Sequence, residues 1–161
     1  MAPSEPISIV LADDDDDLRR VTAAALRAAG MIVREASDGE HALEQVRRHR
    51  PSALVLDLWM PRLDGLQVLD ALRFDPAAGR LAVIVLTGDA EADGRLLALA
   101  AGAACVVLKG GAIAELISAI RSRAEQALGP PFGLDPDDDR PTAETPGPVG
   151  SHLPPGASFP R

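Results

Sequence analysis

Acidic residues, a threonine and a lysine follow apolar segments of the chain, and their side chains could carry phosphoryl chemistry. The segments end in, or are followed by, the aspartate run 13–17, Asp57, Thr87 and Lys109. A carboxylate can attack phosphorus, a hydroxyl can donate to a phosphoryl oxygen, and an ammonium can neutralise another. These residue types therefore match the steps of phosphoryl transfer to an aspartate.

Three of the acids also predict a metal site. If Asp13, Asp14 and Asp57 lie at neighbouring strand ends, a pair of carboxylates ~4 Å apart repels by about 4 kcal/mol at an effective dielectric of ~20. A bound cation would remove that cost, and oxygen ligands with room for water favour Mg²⁺. The sequence therefore predicts Mg²⁺ as the cofactor. The remaining acids of the run, 15–17, are expected to cap a helix and form its first turn.

Five strand-length apolar runs alternate with helical patterns and would position these side chains. The runs cover residues 7–11, 32–35, 53–57, 82–87 and 104–108. They are rich in Val, Ile and Leu and apolar along nearly their whole length, which indicates a parallel sheet with helices on both faces. The predicted fold class is therefore α/β, with a doubly wound five-stranded parallel sheet. Ligands of such sheets bind outside the carboxyl ends of the strands, where the candidate residues fall.

Composition bounds the function further. The chain has 161 residues, 47% of them apolar, which suits one folded domain with a tail. The formal net charge of −8 is unsuited to a nucleic-acid surface. The single cysteine, Cys105, excludes an internal disulfide framework and is expected to be a small apolar residue of the fifth strand. No stretch suits a bilayer span or a signal peptide, so we expect a cytoplasmic protein without a membrane partner.

The composition changes near residue 129, which predicts a domain boundary. Residues 129–161 contain 9 Pro and 5 Gly and almost no periodic apolar pattern, so this segment cannot offset its ordering entropy by burial. We expect a folded domain over residues 1–128 and a disordered tail over 129–161. Within the domain Lys109 stands out, because 15 of the 16 basic residues are Arg and it is the one Lys.

The segment around Asp57 carries the strongest resemblance to a known family. Residues 54–65 read LVLDLWMPRLDG. They resemble the phosphoacceptor strand of the receiver domain of two-component response regulators, with the Met-Pro and Asp-Gly loop that follows it. The resemblance covers about residues 7–128, and it implies that Asp57 is the phosphoacceptor and that the strand order is the flavodoxin-like 2-1-3-4-5. The pair Asp64 and Gly65 is expected to make a turn and cap the third helix.

Other candidate residues match the family in order and spacing. Asp13 and Asp14 are similar to the acid pair that binds Mg²⁺ together with the phosphoacceptor. Thr87 is similar to the family's hydroxyl residue and Lys109 to its lysine, which implies that both contact the phosphoryl group. The position of Trp59, two residues after the phosphoacceptor, implies a backbone carbonyl ligand for the metal. Its indole is expected to lie near the mouth of the site and to slow hydrolysis of an aspartyl phosphate.

The resemblance also implies a role in signalling. It points to a stand-alone response regulator that takes a phosphoryl group from a phosphohistidine of a partner, either a sensor histidine kinase or a histidine phosphotransfer protein. Such a protein is not an enzyme in the ordinary sense, because it assists only its own phosphorylation and dephosphorylation. Its output would be a contact with a downstream protein target that the sequence does not identify.

Two departures from the family pattern keep an alternative open. The family usually has an aromatic residue three positions before the lysine, where this chain has Val106, and Pro directly after the lysine, where it has Gly110. Both departures favour a pseudo-receiver, a protein-binding module that does not depend on phosphorylation. A phosphohydrolase with an Asp nucleophile is a weaker alternative, because such enzymes place a general acid two residues after the nucleophile, where this chain has Trp59.

Overall fold

The computed structural model describes residues 5–88 and 92–127, which form alternating strands and helices. The strands are β1 (Ser8–Ala12), β2 (Ile32–Ala36), β3 (Ala53–Asp57), β4 (Ala82–Thr87) and β5 (Cys105–Leu108). The helices are α1 (Asp16–Ala28), α2 (Gly39–His49), α3 (Gly65–Arg73), α4 (Ala92–Ala100) and α5 (Ile113–Gln126), with a 3₁₀ turn at Pro76–Ala78. The predicted tail, residues 129–161, lies outside the described residues.

The strands form one parallel sheet in the order β2-β1-β3-β4-β5. This order and the α/β class are as predicted. The chain runs outward from β1 to β2 and then returns past β1 to β3, so the direction of winding reverses between β1 and β3. In open α/β sheets ligands bind at that reversal, beyond the carboxyl ends of the strands. Asp57 ends β3, and Asp13 directly follows β1.

The predicted strand boundaries agree with the structure to within one residue. The runs at 53–57 and 82–87 match β3 and β4. Of the other three, β1 and β2 end one residue later than predicted, at Ala12 and Ala36, and β1 and β5 begin one residue later than predicted. Ala104 precedes β5, yet its N–H donates to the carbonyl of Val83 at 2.7 Å. Cys105 lies in the fifth strand, as predicted.

The core has two layers, one on each face of the sheet. Alternate residues of a strand point to opposite faces, so Val10 and Leu54 pack on α2, α3 and α4, while Ile9 and Val55 pack on α1 and α5. All four side chains are fully buried. Each contributes about 1.5–3 kcal/mol through burial. This packing holds the strand ends, and the polar residues on them, in fixed relative positions.

Two predicted helix caps are present. Asp15 is the N-cap of α1, and its carboxylate accepts from the N–H groups of Asp17 at 3.1 Å and Leu18 at 3.0 Å. Asp64 is the N-cap of α3 and forms a capping box with Gln67, each side chain accepting from the other residue's N–H. These acids therefore serve the helices, which leaves Asp13 and Asp14 for another role.

A close backbone approach at Gly39 predicts a large effect of a small substitution. A Cβ at this position would lie 2.3 Å from the carbonyl oxygen of Leu63 and 2.8 Å from Cγ2 of Val68. We expect Gly39→Ala to lower the free energy of unfolding by about 1–3 kcal/mol, because the loop after β3 has to move away from α2. Urea denaturation of the purified protein measures the change.

Gly94 is the matched control for this prediction. Among the described residues, a Cβ there would meet only Cδ1 of Leu58, at 3.9 Å, and Gly94 is the third residue of α4. Gly94→Ala should therefore raise the free energy of unfolding by about 0.5–1 kcal/mol through helix propensity. If Gly39→Ala were as stable as the wild type, the claim that the loop after β3 leaves no room for a Cβ at Gly39 would be wrong.

None of the helices within residues 5–88 and 92–127 combines the length and the apolar character that a bilayer span requires. The longest described helix, α5, has 14 residues, whereas a span needs about 20.

Candidate functional site

The Asp57 carboxylate is buried at the carboxyl edge of the sheet. Asp57 is the last residue of β3 and is 3% exposed. Its Oδ2 accepts from the Lys109 ammonium at 2.9 Å, and its Oδ1 accepts from the Trp59 N–H at 3.3 Å. The preceding strand residues are all buried and apolar, which fixes the backbone that carries Asp57. The carboxylate is therefore held from two sides.

Lys109 reaches the site from the end of β5. Its backbone N–H donates to the carbonyl of Thr87 at 2.7 Å, which ties it to the end of β4. Its Nζ lies 2.9 Å from Oδ2 of Asp57 and 3.1 Å from Oδ2 of Asp13. The Thr87 side chain is buried at the same edge of the sheet. One ammonium thus bridges the two buried acids of the site.

The acid pair after β1 completes a cluster of three carboxylates. One oxygen each of Asp13, Asp14 and Asp57 lie within 4.8 Å of one another. Asp13 is buried and its Oδ1 also accepts from the Asp15 N–H at 2.9 Å, whereas Asp14 is exposed. Among the described side chains of this cluster, three carboxylates against one ammonium leave an excess of two negative charges. The cluster could therefore hold a divalent cation through oxygen ligands.

Burial and pairing shift the ionisation of the two central groups. Burial raises the pKa of Asp57, and the charge of Asp13 adds to that shift, while Lys109 and the Trp59 N–H oppose it. Burial also acts to lower the pKa of Lys109, but its hydrogen bonds to Asp57 and Asp13 outweigh burial and raise that pKa above its usual value. The ammonium therefore stays charged at neutral pH, and the site stabilises it.

The structure brings the predicted site residues to one edge of the sheet. Asp13, Asp57 and Lys109 are in direct contact, and Asp14 lies beside them. Trp59 contacts Asp57 through its backbone N–H, while the residue is 73% exposed. What each of these residues does remains a prediction.

Two supporting contacts of the site were not predicted from the sequence: the close approach of Gly65, which was expected only to form a turn, and a hydrogen bond of Arg19. The N–H of Gly65 donates to the carbonyl of Leu58 at 2.9 Å, and a Cβ on Gly65 would lie 2.6 Å from the carbonyl oxygen of Asp57. A side chain at Gly65 would therefore displace the loop after β3. Arg19 donates to the carbonyl of Asp13 at 2.7 Å. An arginine in the first turn of a helix opposes the helix dipole, and that anomaly is the one signal that could have drawn attention to it.

Curated relatives of the chain carry the names of response regulators. The chain is 42% identical over 114 residues to the response regulator MprA of Mycobacterium leprae (strain TN), a match that covers 71% of this chain and 49% of that protein. It is 36% identical over 114 residues to the transcriptional regulatory protein PrrA of Mycobacterium bovis (strain ATCC BAA-935 / AF2122/97), covering 71% and 48%. The chain thus spans about half the length of the curated relatives it matches.

Solved structures and the family profile agree with these relatives. The receiver domain of the Francisella response regulator 1452 superposes with a TM-score of 0.70 at 25% identity, covering 74% of this chain and 98% of that one. The profile of the response regulator receiver domain matches residues 9–121, a range that includes Asp13, Asp57 and Lys109. The chain therefore belongs to the response regulator receiver domain family.

Proposed function

We propose that the chain accepts a phosphoryl group on Asp57 in a two-component or phosphorelay system. The observation that carries the proposal is a buried carboxylate, Asp57, held 2.9 Å from an ammonium and beside two further acids at the carboxyl edge of the sheet. An ordinary surface aspartate would be solvated and would have no such neighbours. The phosphoryl donor is a phosphohistidine of a sensor histidine kinase or a histidine phosphotransfer protein.

The donor set of the acid cluster fits Mg²⁺. Asp13, Asp14 and Asp57 offer carboxylate oxygens, the hard ligands that Mg²⁺ prefers, and the exposed side of Asp14 leaves room for the water molecules that this ion keeps. The excess of two negative charges matches a dication. These residues would hold the ion, together with the Trp59 carbonyl that the family pattern suggests. When bound, Mg²⁺ neutralises charge that develops on the phosphoryl oxygens.

The protein's own groups would then perform the transfer. An Asp57 carboxylate oxygen attacks phosphorus, the bond from phosphorus to the histidine nitrogen breaks, and that nitrogen keeps the electron pair. The Lys109 ammonium leaves its ion pair with Asp57 and neutralises a phosphoryl oxygen, and the Thr87 hydroxyl donates to another. Asp57 has to be ionised to attack, which the Lys109 charge favours against burial.

The proposed domain organisation follows the sequence. A receiver domain over residues 1–128 takes the phosphoryl group and assists only its own phosphorylation and dephosphorylation. Residues 129–161, which are rich in Pro and Gly, are assigned to a region outside that domain. The phosphorylated domain signals through a contact with a downstream protein, as a shift of a few kcal/mol between two conformations.

One alternative function has structural support. Val106 is half-buried where the family usually has an aromatic residue, and Gly110 has a φ of +81°, which proline cannot adopt. The loop after Lys109 therefore follows a path that a Lys-Pro sequence could not take. These features favour a pseudo-receiver, which would bind a partner without using phosphate.

The emission of Trp59, the one tryptophan of the chain, distinguishes the two functions. A phosphoacceptor should show a change on adding Mg²⁺ and a second change on adding beryllofluoride or a small acyl phosphate. The second change should be absent in Asp57→Asn. A response to Mg²⁺ with no response to either phosphoryl reagent would favour the pseudo-receiver. Sustained release of phosphate from varied monoesters would instead indicate a hydrolase.

The exposed indole of Trp59 predicts a change in the lifetime of the phosphorylated state. Because Trp59 is 73% exposed, Trp59→Ala should leave the core intact. Removing its bulk from the mouth of the site should admit water and speed dephosphorylation about 3- to 10-fold, a barrier change of about 1 kcal/mol. Decay of the phosphoryl adduct, followed by intact-protein mass spectrometry, measures the rate. Trp59→Phe keeps much of the bulk and should decay at nearly the wild-type rate. An unchanged rate in Trp59→Ala would show that the indole does not shield the site.

A further inference from the structure

The guanidinium of Arg19 holds the junction between β1 and α1. Its Nη1 donates to the carbonyl of Asp13 at 2.7 Å, its Nε donates to Glu35 of β2 at 3.3 Å, and its Nη2 donates to Asp16 at 2.5 Å. All three nitrogen atoms are therefore engaged. The side chain is 12% exposed, so these bonds are partly shielded from water. An arginine held in this way fixes the atoms it contacts.

Asp14 directly follows the residue whose carbonyl Arg19 binds. Within the described residues its carboxylate has no hydrogen bond or ion pair, and it is exposed. One of its oxygens nevertheless lies within 4.8 Å of an oxygen of Asp13 and of Asp57. Repulsion from those two acids acts to push it away. The backbone has to hold it there, and the carbonyl that Arg19 binds belongs to the planar peptide group that ends at the Asp14 nitrogen.

We propose that Arg19 is a positioning residue of the cation site: it fixes the peptide between Asp13 and Asp14 and so keeps the Asp14 carboxylate beside Asp57. The inference rests on the proposed function, since it gives Arg19 a role in binding the Mg²⁺ that phosphoryl transfer needs. The planar fork of an arginine can reach acceptors in different directions, which a lysine ammonium cannot reproduce. The three hydrogen bonds of Arg19 also offset the unfavourable interaction of its charge with the dipole of α1, because Arg19 lies in the first turn of that helix.

Glu35 anchors Arg19 and supplies a matched control. Its Oε2 accepts from Arg19 at 3.3 Å, and its Oε1 accepts from Arg27 at 3.1 Å. Arg27 also donates to the carbonyl of Val33 at 3.0 Å. Arg19 and Arg27 thus share one carboxylate partner and each bind one backbone carbonyl, but only the carbonyl bound by Arg19 adjoins the acid pair.

Calorimetric titration of the full chain with MgCl₂ tests the proposal. We expect Arg19→Met to weaken Mg²⁺ binding about 10- to 100-fold, as loss of an outer-shell partner of a metal ligand does. Arg27→Met removes a positive charge and a contact to the same Glu35 and should bind within about 3-fold of the wild type. Arg19→Lys should lie nearer to Arg19→Met than to the wild type. If Arg19→Met does not fold, Glu35→Gln removes the anchor of Arg19 and should weaken binding severalfold.

The direction of the change in Mg²⁺ affinity distinguishes a positioning role of Arg19 from a purely electrostatic effect of its charge. Removing a positive charge near a cation site by itself strengthens cation binding, so tighter or unchanged binding by folded Arg19→Met would overturn the proposal. Equal weakening in Arg27→Met would assign the effect to general stability and would also overturn it. A wild-type protein that does not bind Mg²⁺ would instead contradict the proposed cation site, which is a different failure.

Discussion

Replacing Asp57 by asparagine is expected to abolish phosphoryl uptake completely. The carboxylate of Asp57 is the proposed nucleophile, and an amide of the same shape has no anionic oxygen with which to attack phosphorus. The amide oxygen of the introduced asparagine can still accept from the Trp59 N–H, so the loop after β3 should keep its path. Incubation with Mg²⁺ and a small acyl phosphate, followed by intact-protein mass spectrometry, measures the adduct.

The same substitution should stabilise the metal-free fold, with a defined pH dependence. Because burial raises the pKa of Asp57, the folded state holds its proton to a higher pH than the unfolded chain does. Ionisation of Asp57 therefore costs stability as pH rises from its unfolded pKa, ~3.9, through the raised folded value. In EDTA, the increase in the free energy of unfolding caused by Asp57→Asn should reach its maximum by neutral pH. It should vanish below about pH 4.

Asp75→Asn is the control: its effect on stability should have the opposite sign, and it should have no effect on phosphoryl uptake. Its hydrogen bond from Arg47, at 2.7 Å, lowers the pKa of Asp75, so this acid contributes stability above its unfolded pKa and loses it as pH falls through the lower folded value. Asp75→Asn should destabilise the fold at neutral pH and leave phosphoryl uptake intact. A full adduct on Asp57→Asn would place the acceptor elsewhere and overturn the assignment.

The α/β class and the placing of the candidate site residues at one edge of the sheet could be predicted because both follow from patterns along single strands, whereas the strand order was implied by the family resemblance. Five apolar runs of strand length define a buried parallel sheet, and parallel strands bring their carboxyl ends to one edge. Asp57 could be placed there because it ends the run 53–57, which matches β3. Lys109 could be placed there because it follows β5 directly. These predictions need only the direction and the length of each strand.

The contacts of Gly39 and Arg19 and the burial of the acid pair depend on segments that are distant in sequence. Local patterns in a single sequence do not predict such contacts. Gly39 fits closely against Leu63 because α2 and the loop after β3 meet across the fold. Arg19 reaches Glu35 because β2 pairs with β1. The spacing of these two residues along the sequence therefore does not predict their contact. Asp13 is buried and Asp14 is exposed because the chain leaves the sheet at this point. The sequence does not indicate which of the two acids faces inward.

Removing the ammonium of Lys109 should be the most destabilising single change at the site. Lys109 Nζ bridges Asp13 and Asp57, whose side chains are 2% and 4% exposed. Lys109→Met leaves both carboxylates buried without a counterion. Breaking a fully buried pair costs about 3–5 kcal/mol, and because Lys109 is 19% exposed we expect a loss of about 2–3 kcal/mol in EDTA. Urea denaturation at neutral pH measures it.

Measured at neutral pH, the free energy of unfolding includes the full stabilising contribution of the Lys109 charge. Its pKa is raised in the folded state, so its stabilising effect is fully present below its usual pKa, ~10.4, and is lost only as pH rises through the higher folded value. Above that range Lys109→Met and the wild type should converge in stability. Phosphorylation by a small acyl phosphate should also slow by about 10²-fold, because one charge that binds the phosphoryl oxygens is gone.

Added Mg²⁺ should reverse much of the destabilisation in Lys109→Met. Without the ammonium, the three carboxylates of the cluster repel one another fully, and a dication that binds them no longer meets a competing positive charge. Mg²⁺ should therefore raise the melting temperature of Lys109→Met more than that of the wild type. Lys109→Arg keeps the charge and should behave like the wild type in EDTA. If Lys109→Met were as stable as the wild type without metal, then the ion pairs of Lys109 would contribute little. The proposed balance of charge between the lysine and the cation would then be wrong.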